Sequence, residues 1–156
     1  AADLKVGIVD PEAVLAQSDA GQAAQAKLKA EGEQHQKDAQ QKQDSLKKEQ
    51  DALQKNASVE TQTAQQQAQQ KFQADVAAYQ KWAQDTQQDF SQEQQKVLQP
   101  LQATLYDVIQ SYGKDNGYDL ILDKSAAIYA AGGMDVTSAI LKAFNAAEAH
   151  SSSSSH

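Results

Sequence analysis

Between Pro11 and Pro100 the chain contains no proline, and its residues follow the period of an α-helix. Glutamine is the main residue of this stretch, and the Asn-Ala-Ser-Val segment at 56–59 has the composition of a turn. A long helix that reverses once forms a hairpin, which brings the two ends of the chain together at its base. We therefore predict a helical-hairpin arm over residues 21–99, with its tip near 56–58.

A seven-residue repeat marks the returning half of the arm. Its positions step alternately by four and three, which is the signature of a coiled-coil seam. The outgoing helix has fewer apolar residues, so it cannot cover the aromatic rings of the returning seam completely. The returning seam contains Phe72, Val76, Tyr79, Ala83, Thr86, Phe90, Glu93 and Val97, and the outgoing seam contains Leu28, Ala39, Leu46 and Leu53.

The segments that flank the arm, 1–20 and 100–147, are predicted to form a small β-rich body. Apolar runs bounded by turn residues indicate strands at Leu4–Val9, Tyr118–Leu122 and Ala126–Ala130. Three short strands do not close a sheet in one chain, and a unit this small needs additional support. We therefore expect an α+β fold in which a small β-barrel body is assembled between subunits. The residues expected in this oligomerisation core are Val6, Ile8, Leu120, Leu122, Ile128, Ile140 and Leu141.

Local signals set the expected ends of the helices. Pro100 falls inside a helical pattern and is expected to kink the helix as a hinge. Gly117 is expected to end that helix in the left-handed conformation. The low-complexity segment 148–156 is predicted to be a disordered tail. The polar residues placed to cap helices are Asp10, Ser18, Ser58 and Thr137.

Charge and cysteine content exclude several classes of protein. The net charge is −7, and the chain has neither arginine nor cysteine. Dedicated nucleic-acid binding needs clustered arginine and lysine, so we predict no nucleic-acid partner. Disulfides and thiolate metal sites are excluded, and no apolar run reaches transmembrane length. The first residues, Ala1-Ala2-Asp3, are typical of the end left by signal-peptide cleavage.

The chain offers no constellation of catalytic residues. No histidine lies in a body segment where it could activate a serine. Gly132-Gly133 is not followed by the Lys-Ser/Thr pair of a phosphate-binding loop. His35 lies on a polar helix and is interpreted as a structural or solvated residue. We predict that the protein is not an enzyme and uses no cofactor and no metal ion.

Several short motifs flank the hairpin in a characteristic order. They are Lys5–Asp10, Ser18 and Gly21, Leu98–Leu101, Gly117–Lys124, Ile128–Ala130, Asp135–Thr137 and Ile140–Asn145. This order and spacing resemble the Skp/OmpH family of periplasmic chaperones, and the resemblance covers residues 4–145.

The resemblance implies a homotrimer in the periplasm. Three subunits would build the barrel body, and three arms would surround a cavity that holds unfolded outer-membrane proteins without ATP. The chain departs from the family in being acidic and free of arginine. Contact between lipid and the tip residues Lys47, Lys48 and Lys55 is therefore the less favoured interpretation, and solvated lysines are favoured.

On this interpretation the half-covered seam also contacts the client protein. Glutamine side chains donate and accept hydrogen bonds, so a glutamine-rich wall is expected to meet unfolded backbone of any sequence. The residues predicted to bind the client are Phe72, Val76, Tyr79, Trp82, Phe90, Leu46 and Leu53.

Two other classes remain open. A coiled-coil spacer or adaptor would use the arm as a rod, with a partner site at its tip. A membrane-surface binder is disfavoured because the arm lacks a basic amphipathic stripe. Suppression of the aggregation of a denatured β-barrel protein distinguishes a holdase from a spacer.

Overall fold

Helices account for most of the chain. The computed structural model describes residues 3–154. The predicted leader junction at Ala1-Ala2 therefore lies outside the described residues. In chain order the elements are β1 (Val6–Val9), α1 (Pro11–Gln17), α2 (Asp19–Asn56), α3 (Gln62–Asp115), β2 (Leu120–Asp123), two 3₁₀ turns (Lys124–Ala126 and Gly132–Met134) and α4 (Thr137–Ser153). The predicted long helical hairpin and small strand content are confirmed.

The contacts divide the chain into two units. One unit, here called the body, contains the chain up to Lys27 and from Gln95 onward, and the other, the helix pair, is Leu28–Gln94. The body has a buried apolar core drawn from every one of its helices. The members of that core are Val9, Val14, Ala24, Leu101, Leu105, Val136, Ile140 and Phe144.

The sheet of the body has two parallel strands in the described part of the chain. Val6 of β1 pairs with Leu120 of β2, and Ile8 pairs with Leu122. These strands confirm two of the predicted strands with shifted ends. The third, predicted at Ala126–Ala130, is wrong. Asp123 Oδ1 accepts a hydrogen bond from Ser125 N at 2.8 Å at the start of a 3₁₀ helix that ends at Ala126, and residues 127–130 form neither helix nor strand.

Two helix caps form as predicted. Asp10 Oδ1 accepts a hydrogen bond from Ala13 N at 3.0 Å, with Pro11 in the first turn of α1. Ser18 Oγ accepts one from Gly21 N at 3.0 Å in the first turn of α2. The buried hydroxyl also donates to the Leu15 carbonyl at 3.0 Å. A single serine therefore serves the end of α1 and the start of α2.

The two other predicted caps are wrong. Ser58 lies in the turn after α2, and Thr61 caps α3 by accepting from Ala64 N at 3.2 Å. Ser58 lies inside the turn, before the start of α3, because the backbone N–H groups of residues 59 and 60 donate to the Asn56 carbonyl. Thr137 Oγ1 accepts from the backbone N–H of Asp10 at 3.0 Å, so it joins two segments of the body instead of capping α4.

The long third helix ends as the sequence predicts. It runs from Gln62 to Asp115 with Pro100 inside it. Gly117 follows with φ 69°, and Tyr118 N donates to the Gly113 carbonyl at 2.9 Å. The left-handed conformation of Gly117 turns the chain back so that this N–H can hydrogen-bond to a carbonyl of the last helical turn. A hinge at Pro100 stays a prediction.

The C-terminal segment is helical where the sequence predicts a disordered tail from residue 148. The structure continues α4 to Ser153. Serine hydroxyls bond to carbonyls one turn earlier in this helix: Ser151 Oγ donates to Ala147 O at 2.9 Å, and Ser152 Oγ donates to Glu148 O at 3.0 Å. Ser155 and His156 lie outside the described residues.

The predicted oligomerisation residues differ in how far one chain buries them. Ile8 and Ile140 are buried. The side chains of Val6 and Leu141 are half-buried, whereas Leu120, Leu122 and Ile128 are exposed. Their role between subunits stays a prediction. Phe144, which is fully buried, was not among the predicted core residues.

Candidate functional site

The helix-pair unit brings α2 and α3 together in antiparallel order. As the residue number rises along α2, the facing residue number on α3 falls: the ring centroids of His35 and Phe90 lie 5.6 Å apart. Further along, Gln43 Nε2 donates to Tyr79 Oη at 2.7 Å. No residue from 28 to 94, all of them described, is buried. The pair is therefore joined along its seam without an enclosed core.

All eight residues predicted for the returning seam are half-buried, as are the four predicted for the outgoing seam. The outgoing seam also includes residues that the sequence interpretation missed. Gly32, His35 and Glu49 are half-buried and continue the four-three spacing between Leu28 and Leu53. That spacing was the available signal, but glycine and polar residues at these positions concealed it.

An aromatic cluster lies near the middle of the helix pair. Tyr79 and Trp82 stack with ring centroids 5.9 Å apart and an interplanar angle of 29°. Lys42 Nζ lies 5.0 Å from the centroid of the Trp82 ring, within the range of a cation–π contact. Together with His35 and Phe90, these rings line a groove of about 310 Å³. Trp82, one position off the repeat, is thus part of the seam.

One lysine connects the two helices electrostatically. Lys71 Nζ on α3 lies 2.5 Å from Asp75 Oδ2 and 2.9 Å from Glu49 Oε1 on α2. Hydrogen bonds to Asp75 and Glu49 raise the pKa of Lys71, and the hydrogen bond from Lys71 lowers the pKa of Asp75. Because Lys71 is largely exposed, this network aligns the helices and adds little stability. Lys47, Lys48 and Lys55 are exposed.

The predicted client-binding residues are distributed over three open grooves. Phe72 and Leu53 line one groove near the turn, of about 470 Å³, here called the tip groove. Leu46 and Tyr79 line a second, of about 420 Å³. Tyr79, Trp82 and Phe90 line the aromatic groove. Val76 is half-buried and lines none of these three grooves.

The body exposes apolar side chains around its small sheet. Ile128 and Tyr129 are 108% and 86% exposed, and Leu4 is 77% exposed. They lie close in sequence to the two strands, which form a two-stranded sheet within residues 3–154, with one further bridge from Ile8 to Asp135. Such a surface is typical of one that another protein chain covers.

Within residues 3–154, no cluster of three or more His, Cys, Asp or Glu side chains is arranged to hold a metal ion. In that same part of the chain, no helix combines the length and the apolar character that a membrane crossing requires.

Two comparisons relate this geometry to known proteins. The sequence model of the family described as "Outer membrane protein (OmpH-like)" matches residues 5–144. The crystal structure of a candidate outer membrane chaperone (OmpH-like) from Caulobacter crescentus CB15 is 27% identical in sequence, with a TM-score of 0.86 over 94% of this chain and 86% of that chain. Comparison with curated proteins gives no match. The resemblance that the sequence motifs indicated is confirmed.

Proposed function

This chain belongs to the OmpH-like family of outer membrane proteins, and from that membership we propose that it is an ATP-independent holdase chaperone of the periplasm. Its clients are unfolded outer-membrane proteins, which it keeps from aggregating. It catalyses no reaction and uses no cofactor. The likeness to a candidate outer membrane chaperone supports the same class of function.

The observation that carries this proposal is the incomplete cover of the aromatic seam. Phe72, Tyr79, Trp82 and Phe90 remain only half-buried although they face the partner helix. Half-buried rings in open grooves offer apolar contact to a chain that has no fixed shape. Each contact is weak, and many are needed to hold one client.

Assembly supplies that number of contacts. We propose a homotrimer in which the exposed residues around β1 and β2, including Leu120, Leu122 and Ile128, pack between subunits. Three helix pairs then present three sets of grooves to one client, and avidity replaces strong local binding. Measurement of molecular mass in solution by light scattering tests this, and a stable folded monomer at micromolar concentration would contradict it.

Aggregation suppression tests the chaperone proposal directly. A β-barrel outer-membrane protein denatured in urea is diluted into buffer with and without this protein, and turbidity is followed. A holdase keeps the client soluble at a low ratio of chaperone to client. A coiled-coil spacer leaves turbidity unchanged, and that result would reject the proposal in favour of a structural role.

A further inference from the structure

The tip groove differs from the other grooves in the chemistry of its walls. Its floor contains Phe72 of α3 and Leu53 of α2, both half-buried. Its walls include glutamines of both helices, and among the described residues 3–154 Glu60 is the one charged residue that lines it. The surface is therefore apolar at the bottom, amide-rich above and nearly neutral.

Most of these wall amides have no partner in the protein. Among residues 3–154, the side chains of Gln50, Gln54, Gln69 and Gln73 make no hydrogen bond, and all four are exposed. Gln65 differs, because its Nε2 donates to the Ala57 and Glu60 carbonyls of the turn. Four amides, each with donors and an acceptor, thus remain available to a ligand.

The spacing of these amides fits an extended polypeptide. Gln50 and Gln54, and likewise Gln69 and Gln73, are one helical turn apart, which is a rise of about 6 Å. In an extended chain the backbone N–H and C=O groups of one edge recur every second residue, about 6.6–6.8 Å apart. The difference of under about 1 Å per step lies within the reach of a flexible glutamine side chain. Each wall can therefore meet successive backbone groups along one edge of a strand.

We propose that the tip groove binds an extended, uncharged segment in which apolar and polar residues alternate. The glutamine amides hydrogen-bond to the unpaired backbone, and every second side chain packs on Phe72 and Leu53. Alternating residues are the pattern of transmembrane β-strands, with one apolar and one polar face. A nearly neutral groove suits such a segment, since the segment brings no charge of its own and Glu60 is the one charged side chain in the described lining. The inference rests on the proposed function and adds the feature of the client that this groove recognises.

A pair of synthetic peptides tests the recognition of the backbone. One is a short threonine–valine alternating peptide with photo-leucine at its centre. The other is the same peptide with N-methyl groups on every second residue, which removes the N–H donors of one edge. With the full-length protein, the first peptide is expected to crosslink within residues 50–73. The methylated peptide is expected to bind at least about tenfold more weakly. Equal binding of both, or crosslinks elsewhere, including to a second copy of the chain, would overturn the proposal.

Matched variants locate the effect on the groove. Gln69→Met with Gln73→Met removes two wall amides while keeping side-chain length and helix propensity. Gln66→Met with Gln70→Met makes the same change one turn apart on exposed positions of α3 outside the groove. The first pair of substitutions is expected to weaken the binding of the alternating peptide about tenfold and to abolish the effect of N-methylation on binding. The second pair is expected to change neither the affinity nor the effect of N-methylation. Equal effects of the two pairs at equal helicity would also overturn the proposal.

The turbidity assay separates this inference from the proposed function. If the unaltered protein fails to keep a denatured barrel protein soluble, the chaperone function is wrong. If it succeeds and the peptides are not distinguished, the chaperone function stands and the specific role of the tip groove is wrong.

Discussion

Gly21 packs so closely against Leu15 that a Cβ atom on the glycine would lie 1.5 Å from the Leu15 carbonyl oxygen. The contact lies where α1 passes into α2, and Gly21 N donates to Ser18 Oγ there. Gly21→Ala must therefore displace backbone. We expect it to lower the free energy of unfolding by about 2–3 kcal/mol despite the better helix propensity of alanine.

Gly32 provides the matched control in the same helix. A Cβ atom there would lie 3.8 Å from Phe90 Cζ, an ordinary van der Waals distance. Gly32→Ala is expected to stabilise by about 0.5–1 kcal/mol through helix propensity. Urea denaturation of both variants at one protein concentration measures the difference, and similar midpoints would show that the Gly21 site can relax.

Thr137 connects the start of α4 to the start of α1. Its Oγ1 accepts a hydrogen bond from Asp10 N at 3.0 Å in a partly buried position. Thr137→Val keeps the shape and leaves this N–H unsatisfied, so we expect a loss of about 1–3 kcal/mol in denaturant unfolding. Ser45→Ala, which removes an exposed hydroxyl that donates to Gln41 O, is the control and should change stability little. An equal loss in both variants would contradict this role of Thr137.

The wrong helix caps show that local sequence does not predict a cap when a distant segment binds the capping side chain. Threonine before an apolar run favours a helix cap, and Thr137 has that position. Its oxygen is instead used by Asp10, 127 positions earlier, a contact that no local pattern contains. By contrast, the caps at Asp10 and Ser18 depend on residues three positions away and were predictable.

The same reasoning applies to the site. The returning seam follows from its seven-residue repeat, which is a local property of one helix. The outgoing seam was half missed because Gly32 and His35 are not apolar, and the residue that they lie against, Phe90, is more than fifty positions later in the chain. The absent third strand at Ala126–Ala130 has a similar cause: its apolar residues indicate a strand, but a strand forms only where a partner edge is present.

Asp135 makes the stability of the body sensitive to acid. Hydrogen bonds from the side chain and backbone N–H of Thr137, with Lys124 nearby, hold the pKa of Asp135 below its ordinary value of 3.8. The carboxylate therefore contributes its full stabilisation above the unfolded pKa, and this is lost as pH falls through the lower folded pKa. The difference in the free energy of unfolding between the unaltered protein and Asp135→Asn should be largest above pH 4 and should disappear at lower pH.

An exposed carboxylate supplies the comparison. Asp107→Asn changes the same functional group on the surface of α3. Its difference from the unaltered protein is expected to stay small across the acid range, as measured by urea denaturation at fixed pH steps. If the stability difference between the unaltered protein and Asp135→Asn widens on acidification, the pKa of Asp135 is raised and not lowered by folding, which would contradict its stabilising role.

Protection from hydrogen exchange should change along α3 itself. Leu101 and Leu105 are buried in the body core, whereas no residue from 28 to 94 is buried. Local opening costs less where few apolar contacts are lost. Amides at 62–75 are therefore expected to exchange before those at 101–109, although one helix contains both. Uniform protection along α3, measured by mass spectrometry, would show that the helix pair is as stable as the body.

Client capture is expected to depend on the aromatic seam and not on charge. The stretch from Gln22 to Pro100 has 10 lysines and 11 acidic residues, so its net charge is −1. Salt screens exposed charges beyond about 8 Å at physiological ionic strength. Because this surface is nearly neutral, it attracts a client weakly at long range even in low salt. Client affinity should therefore change little between low and moderate salt.

Two sets of substitutions separate these contributions. Alanine at Phe72, Tyr79, Trp82 and Phe90 removes the half-buried rings, and glutamine at Lys47, Lys48 and Lys55 removes exposed charge. The aromatic set should weaken the holding of a denatured barrel protein by at least about tenfold, because aromatic anchors dominate apolar recognition, and the lysine set should change it little. Circular dichroism must show equal helicity, since the rings also join the two helices. A stronger effect of the lysine set at equal helicity, together with a steep loss of affinity in salt, would show that charge captures the client.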